Sequence, residues 1–543
     1  MWARGFLLAI VCVGGVAALL AGLLPRESVM RPETAIGPYH EDAEIARVVE
    51  RLDAQFHQTW RDADIVPAAT ADDLAVARRL SLALTGAIPS LEEIRLLEAR
   101  QPEHRVGWWT ARLLHDRRYA DHVAERLARA YVGVIDGPFL VFRRRRFTTW
   151  LSDQLHDGRR YDAVVRELIT AEGLWTEQPA TNFVTVTINP DADEEGPDEN
   201  KLAARVTRAF LGLRLDCAEC HDHPFQDWQQ RDFQGLAAFF ARTEMSATGV
   251  REGNGELTFD DYDTGARKII RPSVPFHEDL LATGEHRRRR LARWVTHPHN
   301  KAFARATINR IWALLFSRPL VEPIDDIPFE GSHPAALEML AEDFVRHDFD
   351  LRRLIRVIAQ SEAFRVDSRA NPALIGHKIT DAHAQLWAAF PLTRLRPEQV
   401  VGAVQQAASL TTIDHESHIL ARLARSIGQS EFIERYGDPG EDEFVEAAGT
   451  IPQRLLLING QLVKDETADN LFTNASTQIA ALAPDDRTAV ESSYLAVLSR
   501  RPTAAEQEHF LARLAADDGG SRSQRLEDLF WTLINSTEFS WNH

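Results

Sequence analysis

Cysteine is scarce in this chain, since only Cys12, Cys217 and Cys220 occur among its 543 residues. So few thiols exclude a disulfide-rich scaffold. Common catalytic signatures are missing too: the sequence has no P-loop, no G-x-S-x-G, no H-E-x-x-H and no G-x-G-x-x-G. The formal net charge of −18 argues against nucleic acid as a partner, because phosphate binding requires a basic face. Two arginine runs, 143–146 and 287–290, are more typical of helix faces or carboxylate partners than of polyanion sites.

Two of the three cysteines form a C-x-x-C-H motif with the histidine that follows them. Residues three apart share one face of a helical turn, so Cys217 and Cys220 can each form a thioether with one vinyl group of a porphyrin. His221 then projects toward the iron, and histidine is a common proximal haem ligand. The motif therefore predicts covalently attached haem c, with His221 as an iron ligand.

Other chemistries fit the same residues. Cys217 and Cys220 could form a C-x-x-C disulfide outside the cytosol, which is redox-active if one thiol pKa is depressed. They could also be half of a site for zinc or another transition metal, with His223 as a further ligand. Adjacent Cys220 and His221 point in different directions and no second C-x-x-C exists, so this alternative needs a remote ligand.

The distal iron ligand must come from outside the motif. His223 is only two residues beyond His221, too close in sequence to reach the opposite face of the ring. Met245 is the best local candidate for this ligand. It follows the helix predicted over 228–242, it is one of only four methionines in the chain, and its thioether can bind haem iron. An isolated Met is more often core filling, and His286 or His297 could substitute.

The amino terminus contains an apolar run of 20 residues, Gly5 to Leu24, after a singly basic start. This length spans a bilayer core, and no clear cleavage site follows. We therefore predict a signal anchor within residues 1–28, a single-pass location in the cell membrane, and a body in the periplasm or outside the cell. The alternative is a cleaved signal peptide and a secreted protein.

Apolar residues recur mostly with helical periodicity, which predicts a mainly α fold. The predicted helices span 41–62, 71–84, 105–115, 119–134, 147–156, 161–171, 201–213, 228–242, 287–296, 301–316, 333–347, 351–361, 396–408, 451–458, 486–499, 504–515 and 523–535. Another helix opens at a capping box, Ser90 to Glu93. The β-branched alternation of 183–188 predicts a strand, and 257–259 and 268–270 are β-like. We predict helical domains at 40–245 and 286–543, joined by a short β-containing connector at 246–285.

The motif and its surroundings resemble a known family. Residues 211–225, L-G-L-R-L-D-C-A-E-C-H-D-H-P-F, resemble the signature of the planctomycete-type domain DUF1549, also labelled planctomycete cytochrome C 2. Residues 78–90 and 113–119 fit the same domain. The resemblance implies haem c on Cys217, Cys220 and His221. It also extends past the motif to His223 and Trp228, more than haem attachment needs, which keeps the non-haem metal alternative open.

The second half resembles the usual companion domain, DUF1553, also labelled PSD1. The carrying segments are A-T-I-N-R-I-W at 306–312, S-H-P at 332–334, L-I-N-G at 457–460 and the last 11 residues, 533–543. Family members often carry a long insertion or an additional cytochrome c domain, whereas this chain has one C-x-x-C-H. A multi-haem wire within the chain is therefore impossible.

These observations predict an exported, membrane-anchored c-type haem protein for electron transfer or redox sensing at the cell envelope, with a possible redox partner protein. Two other classes stay open. One is a non-haem metal enzyme that uses Cys217, Cys220, His221 and His223. The other is a non-catalytic envelope scaffold with a structural thiol pair. Whether the protein is an enzyme is left undecided, and Trp312, Phe539 and Trp541 are predicted to be core.

Overall fold

The computed structural model describes residues 42–133, 142–189, 196–260, 267–284, 286–414, 474–516 and 519–543. The predicted anchor Gly5–Leu24 and the predicted helix 451–458 lie outside these residues. Within them, no helix has both the length and the apolarity that a membrane crossing requires. The described chain is mainly helical, with a few small two-stranded sheets.

Ten α-helices precede the first strand among the described residues. They are α1 Ala43–Asp62, α2 Asp73–Thr85, α3 Leu91–Glu98, α4 Arg105–His115, α5 Arg117–Val132, α6 Arg144–His156, α7 Tyr161–Thr170, α8 Asn182–Thr185, α9 Glu199–Val206 and α10 Gln230–Ala237. Local chemistry sets several ends. Asp42 and Asp72 cap α1 and α2, the predicted capping box of Ser90 and Glu93 opens α3, and Gly86 ends α2 at φ 69°.

Two small hairpins lie between the helical halves. Strands β1 Thr243–Ser246 and β2 Gly249–Glu252 pair antiparallel, as do β3 Thr258–Asp260 and β4 Arg267–Ile269. The second hairpin confirms the two predicted β-like pieces. A third pair joins β5 Thr393–Arg394 to the C-terminal β6 Trp541–Asn542.

The second half is again helical. Its helices are α11 Arg287–Val295, α12 Lys301–Phe316, α13 Ala335–Arg346, α14 Leu351–Gln360, α15 Glu362–Arg365, α16 Asp381–Gln385, α17 Pro397–Ala407, α18 Ala475–Leu482, α19 Asp486–Leu498, α20 Ala504–Leu514 and α21 Arg522–Ile534. The arginine runs lie at the start of α6 and of α11. As predicted, they have carboxylate partners: Arg144 contacts Glu125 at 2.7 Å, and Arg287 contacts Glu256.

The strand predicted at 183–188 is wrong, because residues 182–185 form the helical turn α8. Phe183, Val184 and Thr185 are all buried, so the segment has no exposed face that a half-buried strand would present. Asn182 holds the turn: its Nδ2 donates to the carbonyls of Trp175 and Pro179. Tertiary packing overrides the β propensity of the sequence here.

Buried apolar side chains form one large cluster that runs from Ile45 in α1 to Leu495 in α19. Trp312 lies in it with no exposed surface, 4.3 Å from the ring of Phe316 and 6.0 Å from that of Phe56. A second cluster joins the end of α2 to α17–α21. Trp312 and Phe539 are core, as predicted, whereas Trp541 is only half-buried.

Candidate functional site

The chain enters the C-x-x-C-H motif through a widened helix. The helix predicted over 201–213 is α9 followed by a π-helical turn, Thr207–Leu211, and it ends at Gly212 with φ 63°. A Cβ at Gly212 would lie 3.2 Å from the Cβ of Ala306, so the second half of the chain packs directly on this turn. π-Helical turns frequently occur at functional sites. A 3₁₀ turn, Asp216–Glu219, then carries the first thiol.

The two thiols of the motif face solvent. Cys217 and Cys220 are both exposed and not joined in a disulfide, while Ala218 between them is fully buried. Ala218 thus fixes the turn on the core and leaves both sulfur atoms on the outer side. Both thiols are therefore accessible from solvent.

One ring nitrogen of His221 is held by the backbone of the next residue. Its Nδ1 lies 2.7 Å from the carbonyl oxygen of Asp222, and the side chain is exposed. A carbonyl can only accept, so Nδ1 carries a proton, and in the neutral ring Nε2 has the lone pair. This is the tautomer in which metal-binding histidines are held by their second shell.

His223 has the opposite arrangement. Its Nδ1 accepts hydrogen bonds from the backbone N–H groups of Phe225 at 3.2 Å and Gln226 at 3.0 Å. Its own backbone N–H donates to the carbonyl of Trp228 at 2.8 Å. The neutral ring therefore carries its proton on Nε2, which is then no metal ligand. His223 shapes the loop, and metal binding would require its hydrogen bonds to change.

The first residue of α10 closes the motif loop. The Gln230 side-chain Nε2 donates to the carbonyls of Glu219 at 3.2 Å and Cys220 at 3.0 Å. Its backbone N–H donates to the Asp222 carboxylate at 2.9 Å. Helix α10 begins at Gln230, two residues later than the predicted start at 228, because residues 221–229 belong to this loop.

Ion pairs support the base of the loop. Arg208, on the π-helical turn, bonds both carboxylate oxygens of Asp216, and Arg214 bonds Asp325 at 2.7 Å. Burial alone would raise the pKa of Asp216, but the hydrogen bond and charge of Arg208 hold that pKa below its ordinary value. Asp216 thus stays ionised and keeps the turn before Cys217 in place.

Aromatic rings flank the loop. Trp228 lies 5.5 Å from the ring of Phe329 and 6.2 Å from that of Phe276. His277 is exposed, and its ring packs edge-on against the ring of the adjacent Phe276, with the two centroids 5.6 Å apart. By contrast, Phe225 is 91% exposed, so the loop carries a large apolar side chain in water directly beside the motif.

The residues predicted for the site fall into two sets. Cys217, Cys220, His221 and His223 share this one loop, whereas the candidate distal ligands lie on other segments. Met245 is half-buried on β1 and packs against the core. His286 Nδ1 lies 2.9 Å from the Glu252 carboxylate, and His297 Nδ1 accepts from the backbone N–H of His299.

Sequence reasoning missed the groups that hold the loop: Arg208, Arg214, Gln230, Asp325 and Asp326. Gln230 follows the motif closely and lies in the first turn of the helix predicted over 228–242, which was the available signal. The two aspartates lie about 100 residues away, and no local pattern identifies them. Among the residues that the structure describes, no group of three or more His, Cys, Asp or Glu side chains is arranged to hold a metal ion.

Comparison with known families agrees with the resemblance seen in the sequence. Residues 51–245 match PSCyt2, described as a protein of unknown function (DUF1549). Residues 287–418 match PSD1, described as a protein of unknown function (DUF1553). No curated protein and no solved structure matches the chain. The chain therefore belongs to the proteins that carry a DUF1549 domain followed by a DUF1553 domain.

Proposed function

We propose that the protein is an exported, membrane-anchored c-type haem protein that transfers electrons or senses redox state at the cell envelope. One observation carries the proposal: two solvent-facing thiols, Cys217 and Cys220, precede a histidine whose Nδ1 is bonded to backbone and whose Nε2 lone pair is available. The spacing supplies two thioether positions, and the tautomer supplies an axial ligand.

The residues fit a covalently held haem. Cys217 and Cys220 would bind the vinyl groups, and His221 Nε2 would bind the iron. Bound haem would supply one-electron chemistry. The chain contributes the rest: the Asp222 carbonyl orients His221, and Gln230 holds the carbonyls on either side of Cys220.

A non-haem metal enzyme has less support from the same geometry. His223 would have to give up two hydrogen bonds that it accepts at Nδ1 before Nε2 could bind a metal. A structural thiol pair also has less support, because both cysteines are exposed and unbonded, and an inert structural cysteine is usually buried.

Export and anchoring rest on the sequence. The 20-residue apolar run Gly5–Leu24 is long enough to span a bilayer. Covalent haem attachment is expected on the outer side of a bacterial inner membrane, so the motif and the apolar run point to the same compartment. Protease treatment of intact spheroplasts should digest the body, and a body protected until lysis would reverse the orientation.

The first test is covalent attachment. The full chain is expressed with a cytochrome c maturation system, extracted with acidified acetone, and weighed by mass spectrometry. We expect the mass of one haem on the polypeptide. Cys217→Ser and Cys220→Ser should each retain haem by the other thioether, and the double variant should lose it. A colourless, unmodified wild-type chain would reject the proposal.

The second test separates the two histidines of the loop. His221→Ala should remove the axial imidazole and change the visible and electron paramagnetic resonance spectra. His223→Ala is the comparison variant, because His223 Nδ1 already accepts two backbone hydrogen bonds and its ring is not the proposed axial ligand. Equal spectral changes in both variants would contradict the assignment of His221.

The distal ligand is proposed to be Met245. The oxidised protein should show a weak near-infrared sulfur-to-iron band that Met245→Ala abolishes. The half-buried position of Met245 against the core makes a packing role the competing interpretation. A bis-histidine spectrum that survives Met245→Ala and disappears in His286→Ala or His297→Ala would move the assignment to that histidine.

A further inference from the structure

In the DUF1553 signature A-T-I-N-R-I-W, Asn309 and Arg310 are buried polar residues that the proposed function has not used. Asn309 and Arg310 lie on α12, with 0% and 4% of their surface exposed. Buried polar side chains are retained only with good hydrogen-bond partners. The partners of these two residues lead directly to the C-x-x-C-H loop of the first domain.

Asn309 closes the segment that follows α12. Its Nδ2 donates to the carbonyl of Val321 at 2.8 Å, and its Oδ1 accepts from the Val321 backbone N–H at 2.9 Å. A weaker contact at 3.4 Å reaches the carbonyl of Ile324. Asn309 therefore sets the path of residues 321–324, and the next two residues are Asp325 and Asp326.

Those aspartates hold the first domain on both sides of the motif. Asp325 accepts from Arg214 Nε at 3.0 Å and Nη2 at 2.7 Å, three residues before Cys217. Asp326 accepts from Gln226 Nε2 at 3.2 Å, five residues after His221. Charge-assisted hydrogen bonds of this kind are about twice as strong as neutral ones.

Arg310 and Ile327 hold the helix that leads into the motif. Arg310 Nη1 donates to the carbonyl of Ala209 at 2.7 Å, within the π-helical turn. The backbone N–H of Ile327 donates to the carbonyl of Gly212 at 2.7 Å. Both bonds satisfy carbonyls at a helix end, where four carbonyls have no partner within the helix.

Further hydrogen bonds connect Gln226 to the residues of the C-x-x-C-H loop. While Gln226 Nε2 donates to Asp326, its Oε1 accepts from Trp228 Nε1 at 2.7 Å. The Trp228 carbonyl in turn accepts the backbone N–H of His223. An unbroken series of contacts thus runs from Asp326 through Gln226 and Trp228 to the hydrogen bonds that shape the loop.

We infer that the DUF1553 domain positions the C-x-x-C-H loop, with Asn309, Arg310, Asp325 and Asp326 as positioning residues. The site then belongs to both domains, although all of its chemistry-bearing side chains come from the first. The effect on the loop stands independently of haem, whereas the effect on the iron ligand rests on the proposed function.

The test reverses one hydrogen bond. Gln226→Glu sets two carboxylates against each other at the Asp326 contact, while the Trp228 indole keeps its acceptor. Adding Asp326→Asn restores a donor and an acceptor with their roles exchanged, and the double variant has the wild-type net charge. Glu322→Gln is the matched control, because Glu322 is in the same segment but is exposed and pairs with Arg318 instead of the first domain.

Hydrogen exchange is measured on the full haem-free chain in detergent. Gln226→Glu should speed exchange of the amides of residues 222, 223 and 225–229 by about tenfold, since a hydrogen bond to a charged group is lost. The double variant should return to within about twofold of wild type, and Glu322→Gln should leave the rate unchanged. Amides in α12 should exchange alike in all four proteins, which shows that the fold is intact.

Loop amides that exchange at one rate in all four proteins would overturn the inference, and so would a double variant that fails to recover. The haem-loaded chain provides the second measurement. Gln226→Glu should split the low-spin electron paramagnetic resonance signal, and the double variant should restore one signal. A wild-type chain without haem would reject the proposed function and leave the exchange result standing.

Discussion

Trp312 lies where the two halves of the chain meet, and its truncation is the most informative stability test. Its indole is fully buried, stacks on Phe316, and lies 5.1 Å from the ring of Trp387 and 6.0 Å from that of Phe56. Phe56 belongs to the first half and Trp387 to the second. Trp312→Ala therefore opens a cavity that both halves line.

The expected loss follows from the buried area. A tryptophan buries about 150–250 Å², which corresponds to roughly 4–6 kcal/mol at about 25 cal/mol per Å². The alanine keeps part of this area and the neighbours relax, so we expect the free energy of unfolding to fall by about 3–5 kcal/mol.

A second substitution tests a polar detail of the same side chain. Trp312 Nε1 is buried and has no acceptor in the described structure. An unsatisfied buried donor costs about 1–3 kcal/mol. Trp312→Phe removes that donor and keeps an aromatic ring. The free energy gained by removing the unpaired N–H therefore offsets part of the free energy lost with the smaller buried area. We expect its net cost to stay below about 1.5 kcal/mol.

Urea denaturation of wild type and both variants, followed by circular dichroism, measures these differences. A loss below about 1 kcal/mol for Trp312→Ala would show that the indole is not a packed core residue. A Trp312→Phe variant as unstable as Trp312→Ala would refute the argument about the unpaired N–H.

Three further predictions concern ionisable groups. Burial raises the pKa of Asp53 to about 6. Between about pH 4 and pH 6 the folded chain therefore holds a proton that the unfolded chain has released, and the free energy of unfolding falls as the pH rises through this range. Asp53→Asn should remove this fall and, because Asp53 is partly exposed, raise stability at pH 7 by only about 1–2 kcal/mol in urea denaturation. The hydrogen bond from Arg500 lowers the pKa of Glu506 to about 2. The stability that this pair contributes is complete above the ordinary pKa of a glutamate and is lost as the pH falls toward 2. In Arg500→Met the melting temperature should therefore depend less on pH in this acidic range. Arg118→Met should cost about 3–5 kcal/mol, because it leaves the buried Glu93 carboxylate without its main partner, and adding Glu93→Gln should recover part of that loss in the same urea assay.

Strong local signals made much of the fold predictable. The predicted limits of α4, Arg105–His115, and α12, Lys301–Phe316, agree with the structure, and the capping box at Ser90 is present. The prediction failed where contacts distant in sequence decide the conformation. Residues 182–185 are helical because the core surrounds them, and the helix before the motif ends in a π-helical turn closed by Gly212.

The candidate site divides in the same way. The C-x-x-C-H residues are contiguous, so the sequence identifies them directly. The different tautomers indicated for His221 and His223 depend on which backbone groups the folded loop presents, and periodicity contains no such information. The contacts of Arg214 and Gln226 with Asp325 and Asp326 join segments about 100 residues apart, and no local sequence pattern indicates them.

The continuous core has a consequence for how such a chain can evolve. Phe56 from the first half and Trp387 from the second both pack against the indole of Trp312, so a gene fragment encoding either half alone would produce a polypeptide with a large uncovered apolar face. Such a product invites aggregation and proteolysis. We therefore expect recombination events that separate the two coding segments to be eliminated by selection, and the pair to be inherited as one unit.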